Sequence, residues 1–399
     1  MKNKRPFSPG VLIFLIYLIY IVLGMSGALM GAAWPSMYGG LGVPDSWLGI
    51  LSVIISTGMV VTGVLLGRAI KRFGTGAIVV FCSAVSAVGS FGFAISPSFA
   101  VMCVLCAVVG FGGGFLDPVI NSYVAVNYEA RHMNLMHLSW GVGSMIGPFI
   151  VSFGITKTSG WRFSYLAVGG VQTVLLILII LTVALWGGVA ANNESSKAEP
   201  PKETSAKLSK ILRLPGIFWA LASFFLYSAV EYVVALWGSS YLVHAKSLPP
   251  ETAAWMLSLY FLGMTAGRGG SAFLSSKLGN RKMVRLGCAI MALGVAAFIL
   301  PFGNAAYMAG FVLLGLGSAP VFPCLMHNTP LCFGEEFSGS VIGLQSASAS
   351  LGFMIVPPMF SWVADRIGYE LFPLFLGTLL ILLVAATEAL GGKEKSKNM

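Results

Sequence analysis

The sequence predicts an all-α membrane protein, with twelve transmembrane helices in two six-helix bundles related by a parallel repeat. Composition is the first observation behind this. Of 399 residues, 57% are hydrophobic and only 10% charged, with a mean hydropathy of +0.86, whereas a soluble domain carries about 25% charged residues. The second is that apolar stretches long enough to cross a ~30 Å hydrocarbon core as helix recur along the chain. The third is self-similarity: residues 110–118 read GFGGGFLDP, and residues 315–323, 205 positions later, read GLGSAPVFP. A fixed offset of this kind marks a duplicated unit.

The first span, 11–37, follows a basic start (Lys2, Lys4, Arg5). Its apolar run exceeds the roughly 7–15 residues of a signal-peptide core, so it reads as an uncleaved helix. Spans two to six fall at 47–70, 77–96, 100–125, 134–156 and 162–188. The segment 189–212 is rich in Ser, Lys, Glu and Pro and reads as a cytoplasmic linker, flexible or only partly helical. Spans seven to twelve fall at 215–243, 253–276, 284–301, 304–328, 338–363 and 370–391. The expected domains are therefore an N-terminal bundle at 1–188 and a C-terminal bundle at 213–399. A transmembrane β-barrel needs alternating segments of about ten residues, and no such pattern occurs.

The 205-residue offset also pairs Gly58-Met59 with Gly263-Met264, Gly74 with Gly279 and Gly147 with Gly352. With a two-residue loop adjustment, the segment Trp34 to Tyr38 pairs with Trp237 to Tyr241. Small residues four apart recur as Gly63/Gly67, Gly110/Gly114, Gly143/Gly147, Gly263/Gly267 and Ser348/Gly352, and are expected to let helix backbones approach closely. No βαβ context surrounds Gly110–Gly114, which excludes a dinucleotide loop.

The net charge is +10, and its placement carries more than its size. Basic residues collect at Lys2–Arg5, Arg68–Arg72, Arg131, Lys197–Arg213, Lys277–Arg285 and Lys393–Lys397. Twelve spans put all of these on one side, leaving Lys157, Arg162, Lys246 and Arg366 on the other. By the positive-inside rule, both termini are expected on the cytoplasmic face of a multi-pass protein of the inner (cytoplasmic) membrane. Basic charge spread over short loops gives no nucleic-acid surface. The six cysteines lie within or at the edge of spans, and Cys103-x-x-Cys106 has no His or Cys partner set. No metal, cofactor or disulfide framework is expected.

A charge at the bilayer centre costs about 3 kcal/mol on insertion scales, which makes an intramembrane ionisable residue a functional candidate. Three stand deep in their spans: Asp117, Glu231 and Arg268; Glu388 lies near the end of the last helix. Asp117 and Asn121 share a helix face by their i, i+4 spacing, and Pro118 removes a backbone donor between them. Such a carboxyl can take up and release a proton. Glu231 follows Tyr227 by one turn, with Trp237 further on, and suits a second titrating group, a contact for substrate hydroxyls or a partner of Arg268. In the fifth span Asn134 and His137 share a face, followed by Trp140; Gln345 is the repeat counterpart of Trp140. Trp34, Trp237 and Tyr241 present aromatic rings suited to the C–H faces of a sugar, or to the interfacial belt.

Parallel six-helix halves with a basic motif after the second and eighth spans resemble the major facilitator superfamily. The motif stands here as Gly63-Val-Leu-Leu-Gly67-Arg68-Ala-Ile-Lys71-Arg72-Phe-Gly74, and its second copy ends Ser276-Lys277-Leu-Gly279-Asn-Arg281-Lys282. Gly67 stands where the superfamily usually has Asp, so the usual cytoplasmic charge lock is weakened or rebuilt. The runs Asp117-Pro-Val-Ile-Asn121, Asn134-Leu-Met-His137, Tyr227-x-x-x-Glu231 and Ala319-Pro-Val-Phe-Pro323 resemble the fucose–galactose–glucose:proton symporter branch. That resemblance implies proton coupling at Asp117, and solute contacts from Asn134 and His137 in the fifth span and Tyr227, Glu231 and Trp237 in the seventh. With the residues singled out above, the expected proton-coupling acids are Asp117 and Glu231, and the expected substrate cavity is drawn from Asn121, Asn134, His137, Trp140, Tyr227, Glu231, Trp237, Gln345 and Trp34. Gating or structural roles fall to Arg68, Arg72, Arg268, Lys277 and Pro118. Fucose-type members also carry an acid in the first helix, whereas no charged residue occurs here between Arg5 and Asp45.

The expected function is secondary active transport of a hexose-type sugar with protons, by alternating access, in a monomer that is not an enzyme. The alternatives are a proton-coupled exporter of drugs or other organic solutes, and a solute-sensing membrane receptor that does not transport.

Overall fold

The computed structural model describes residues 9–158, 160–193 and 208–397. The regular elements among them are all helical. Two compact units emerge, one of residues 1–44 and 53–198, the other of 45–52 and 199–399. The eight-residue stretch 45–52 thus belongs to the second unit, although the domain division expected from the sequence places it in the first.

The first unit contains α1 (Pro9–Met37), most of α2 (Leu48–Phe73), α3 (Thr75–Ile95), α4 (Phe99–Gly113), α5 (Leu116–Asn127), α6 (Ala130–Lys157) and α7 (Trp161–Asn193). The second contains a short α8 (Leu208–Ile211), then α9 (Ile217–Lys246), α10 (Pro250–Leu278), α11 (Asn280–Ala297) and α12 (Gly303–Ser318). It continues with α13 (Val321–His327), α14 (Thr329–Phe333), α15 (Glu335–Arg366) and α16 (Phe372–Lys397). Counting α4–α5 and α12–α14 each as one interrupted span, there are six segments per unit. Ten of them are long and apolar enough to cross a membrane by length and composition. The other two are α10, which carries Arg268 among Gly and Ser, and α11, which opens on Arg281, Lys282 and Arg285.

Of the expected linker 189–212, α7 continues through Asn193 and α8 occupies Leu208–Ile211. Residues 194–207, like the basic cluster Lys2–Arg5, lie outside the described residues.

The repeat is written into backbone conformation. Gly74 and Gly279, 205 apart, turn the chain between helices with φ of +77° and +73°, values that strain any residue with a Cβ. The fourth and tenth spans break at matching places, Gly114–Phe115 and Ala319–Pro320. The cause is the same in both: Pro118 and Pro323 have no N–H for the carbonyls of Gly114 and Ala319. The break puts Asp117 in the first turn of α5 rather than in the middle of a continuous helix.

Close backbone approach holds for most of the expected glycines. A Cβ on Gly110 would lie 2.6 Å from the Ile55 carbonyl oxygen, and one on Gly143 or Gly147 would overlap the carbonyls of Ile21 or Met25. Gly263, Gly315 and Gly352 meet Val312, Tyr260 and Phe225 in the same way. Gly63 and Gly67 do not follow: among the described residues nothing lies within 4 Å of a Cβ added at either, and no close contact is found at that pair.

Glu388, expected at the interface, is gripped by two arginines of α11. Arg281 Nη2 donates to it at 3.0 Å, and Arg285 donates through Nε and Nη2 at 2.5 and 2.6 Å. Arg281, part of the second basic motif, thereby ties the start of α11 to the end of α16.

Candidate functional site

In the first unit the polar candidates converge on a tyrosine. Tyr20 of α1 is fully buried, and its hydroxyl donates to Asp117 Oδ1 at 2.8 Å. Asn121 Nδ2 donates back to that hydroxyl at 2.9 Å and to the Asp117 carbonyl at 3.0 Å. The His137 ring stands edge-on to the Tyr20 ring, 5.7 Å between centroids. One phenol therefore touches the acid, the amide and the imidazole expected from the sequence. Asp117, Asn121 and His137 are each half-buried, so the group is not sealed in the core.

Tyr20 is the functional candidate missing from the sequence reading. It lies in an unbroken apolar run, 97 residues from Asp117, and a tyrosine there looks like packing. Gln172 of α7 is a second omission: 5% exposed, it donates to Ser26 at 2.8 Å. With Ser26, Ser83, Ser86 and Leu116 it lines a small cavity of about 40 Å³.

The remaining first-unit candidates differ in their placement. Asn134 is exposed. Trp140 packs against the hydrophobic cluster that includes Tyr20, Ile120 and Met136, and so lies beside the group. Trp34 is fully buried against Phe99, 6.4 Å between rings, and offers no face to a solute. Arg68 and Arg72 are exposed, Arg72 lying over the Phe73 ring at 5.4 Å.

The second unit has its own polar group. The Tyr227 hydroxyl is hydrogen-bonded to Glu231, and Arg268 of α10 is near enough to both to act on them electrostatically. Tyr227 also packs on Phe322, with ring centroids 5.8 Å apart. Trp237 lies elsewhere: its ring is fully buried and its Nε1 donates to the Pro357 carbonyl at 2.9 Å. Gln345 is 1% exposed, and its Oε1 accepts a bond from Thr329 at 2.9 Å. Lys277 is exposed.

Helix contacts fix how the units correspond. Gly143 meets the Ile21 carbonyl, and its counterpart Ser348 donates to the Leu221 carbonyl at 2.8 Å. Gly147 meets Met25, and Gly352 meets Phe225. α1 therefore maps onto α9 with a shift of 200 residues, while α6 maps onto α15 with 205. Trp34 corresponds to Val234 and Trp237 to Met37, so the tryptophan pairing expected from the sequence is out of register by three. With the corrected register, Tyr20, Asp117 and Asn121 correspond to Ala220, Phe322 and Met326 in the repeat. In the other direction, Tyr227, Glu231 and Arg268 map onto Gly27, Gly31 and Gly63. Each unit fills with apolar or absent side chains the positions where the other keeps its polar group.

The family follows from the chain as a whole. The model of the Major Facilitator Superfamily matches residues 16–249 and again 239–397. The chain belongs to that superfamily. Relatives similar in sequence include transporters of different solutes. The glucose/mannose transporter GlcP of Bacillus subtilis is 23% identical over 277 residues, 66% of this chain and 65% of that protein. The match thus spans slightly less than two thirds of that relative. The cis,cis-muconate transport protein of Acinetobacter baylyi is 26% identical over 337 residues, 79% of this chain and 78% of that one. Among solved structures, the nucleoside transporter NupG superposes with a TM-score of 0.76 at 15% identity, covering 94% of this chain and 98% of that one. A mutant of the peptide transporter POT in complex with sulfate gives 0.75 at 16% identity, with 98% of this chain and 95% of that one covered. At such identities the structures establish the superfamily's fold in this chain, and nothing about its solute.

Proposed function

We propose that this superfamily member moves a hexose-type sugar together with protons by alternating access. The observation carrying the reading is the hydrogen-bonded Tyr20–Asp117–Asn121 group. It holds a carboxylate inside a membrane span, half-buried, next to the His137 imidazole. A carboxylate there is costly unless partnered, and its hydrogen-bond partners, the Tyr20 phenol and the neighbouring Asn121 amide, are neutral. Amide, phenol and imidazole groups around it are the donors and acceptors that sugar hydroxyls require. Similarity to the glucose/mannose transporter supports the choice of solute. In this reading Asp117 is the principal proton site, Asn121 and His137 contact solute, and Glu231 with Tyr227 supplies a second polar group. The proposed topology keeps both termini, and the linker 189–212, on the cytoplasmic face.

A second reading has one specific observation in its favour. Arg268 lies half-buried in its span beside Glu231, and a cation so placed suits an organic acid such as the solute named for the muconate transport protein. Purified protein in liposomes, assayed by counterflow with radiolabelled D-glucose, D-mannose and cis,cis-muconate, separates the two. Sugar counterflow with none for muconate is expected; the reverse pattern rejects the sugar assignment, and binding without counterflow would identify a receptor.

Tyr20→Phe tests the group itself. The substitution keeps the ring and removes one hydroxyl that bonds a charged acceptor, an interaction worth about 1.5–3 kcal/mol. Proton-driven accumulation is expected to fall roughly 10-fold or more, while solute exchange without a gradient persists. Equal loss of both activities would show that Tyr20 serves only packing.

A further inference from the structure

The first unit holds buried polar side chains that the Tyr20–Asp117 group does not use. Gln172 of α7 is 5% exposed, and its Nε2 donates to Ser26 Oγ of α1 at 2.8 Å. Ser26 in turn donates its single proton to the Val22 carbonyl at 2.8 Å. With that proton committed, Ser26 can only accept from the amide. The Gln172 side chain therefore turns its nitrogen to α1 and its oxygen elsewhere. Gln172 Oε1 is closed off from the surface and has no hydrogen-bond partner among the described residues.

Ser83 of α3 is in the same condition. It is buried, and its hydroxyl oxygen has no partner among the described residues. A serine or threonine inside a helix can bond the carbonyl one turn back. Ser26, Thr173 and Thr182 of this unit do so, at 2.8, 2.8 and 2.7 Å. Ser83 does not, and its hydroxyl is left for something else. Both unpartnered groups stand on the wall of the small cavity of about 40 Å³, with Ser26, Ser86, Leu116 and Leu175. Among the described residues, no charged side chain lines it.

We propose that this cavity is a water-binding site, in which buried water bridges the Gln172 amide oxygen to the Ser83 hydroxyl and completes the polar contacts between α1, α3 and α7. Hydrocarbon around a spanning helix supplies no hydrogen bonds, so a polar group there has to be satisfied within the protein. An enclosed amide or hydroxyl left bare is costly. The volume fits, since a buried water takes up roughly 10–15 Å³ of such space and the cavity has room for about three at most. The chemistry fits as well: water donates to the amide oxygen, and it either donates to or accepts from a hydroxyl. A hexose is far too large for this space. A metal cation would meet hydroxyls and one amide, with no carboxylate to offset its charge. The site stands independently of the sugar–proton reading, since it requires no particular solute.

X-ray hydroxyl-radical footprinting of the full chain in nanodiscs tests it, because radicals generated from a bound water label the side chains around it. Leu116 and Leu175 are buried on the cavity wall, and Leu12 and Leu15 are buried away from it. The first pair is expected to be labelled roughly fivefold faster than the second, as a retained water requires. The double variant Gln172→Leu/Ser83→Ala removes both unpartnered groups and should bring the two pairs to the same rate. Equal rates in the native protein, or fast labelling that persists in the double variant, would overturn the proposal. A density map of the native protein that resolves ordered water needs no variant to fold. A peak within hydrogen-bonding distance of both Gln172 Oε1 and Ser83 Oγ is expected, and it should remain when choline replaces sodium in the buffer. A peak seen only with sodium would make this a cation site, and a direct bond from Gln172 Oε1 to another protein group would leave water nothing to bridge. Either result also overturns it.

Discussion

Asp117→Asn is expected to abolish uphill accumulation of sugar under a pH gradient of either sign, while leaving exchange of sugar across the membrane at equal pH. The amide preserves the volume and the oxygen that accepts from Tyr20 at 2.8 Å, so the local fold is kept. What disappears is the capacity to carry a proton, and coupling requires a group that binds solute or conformation differently in its two protonation states. The expected loss in the accumulation ratio is roughly 100-fold, which corresponds to about 2.7 kcal/mol of coupling. The check is uptake into proteoliposomes with and without an imposed pH gradient, paired with counterflow. Undiminished uphill uptake removes Asp117 from the proton pathway. In that event Glu231, with Tyr227 and Arg268 around it, becomes the acid to substitute next.

The contrast between Asp117 and Tyr20 shows where the sequence is informative. Asp117 is legible because a charge inside an apolar span violates the cost of burying it, and Asn121 is legible because i, i+4 spacing shares a face. Tyr20 breaks no rule: a tyrosine among leucines and isoleucines is ordinary packing until a helix 97 residues away brings a carboxylate to its hydroxyl. The helical segments and the glycine repeat follow from hydropathy and identity alone. Register does not, because matching letters at Trp34 and Trp237 compete with the true helix contacts at Ile21, Met25, Leu221 and Phe225. A two-residue loop correction was enough to align the wrong pair. The same contacts reveal that the positions of each polar group correspond in the repeat to apolar residues or glycines of the other unit, a stronger form of asymmetry than Asp117 against Phe322 alone.

Gly143→Ala and Gly63→Ala should behave in opposite ways, although the sequence gives both glycines the same four-spaced pattern. A Cβ at Gly143 would overlap the Ile21 carbonyl oxygen, with the Ile21 carbonyl carbon and Cα close behind. These are backbone atoms, so no side chain can swing aside; α1 and α6 have to separate. Overpacking of this kind costs about 1–3 kcal/mol, and the upper part of that range applies because the clash is with main chain. The thermal midpoint of the purified protein is expected to fall by roughly 5 °C or more. At Gly63 no atom of the described residues stands within 4 Å of the added methyl, and alanine in a helix interior gains about 0.5–1 kcal/mol over glycine. Its midpoint is expected to stay level or rise slightly. Gly63 is also the repeat counterpart of Arg268, so the open space there is the volume that a long side chain occupies in the other unit. Equal destabilisation by the two substitutions would mean that Gly63 does lie in a close helix contact. A neutral Gly143→Ala would mean that α1 and α6 do not approach as described, and the 200-residue register built on that approach would fall with it.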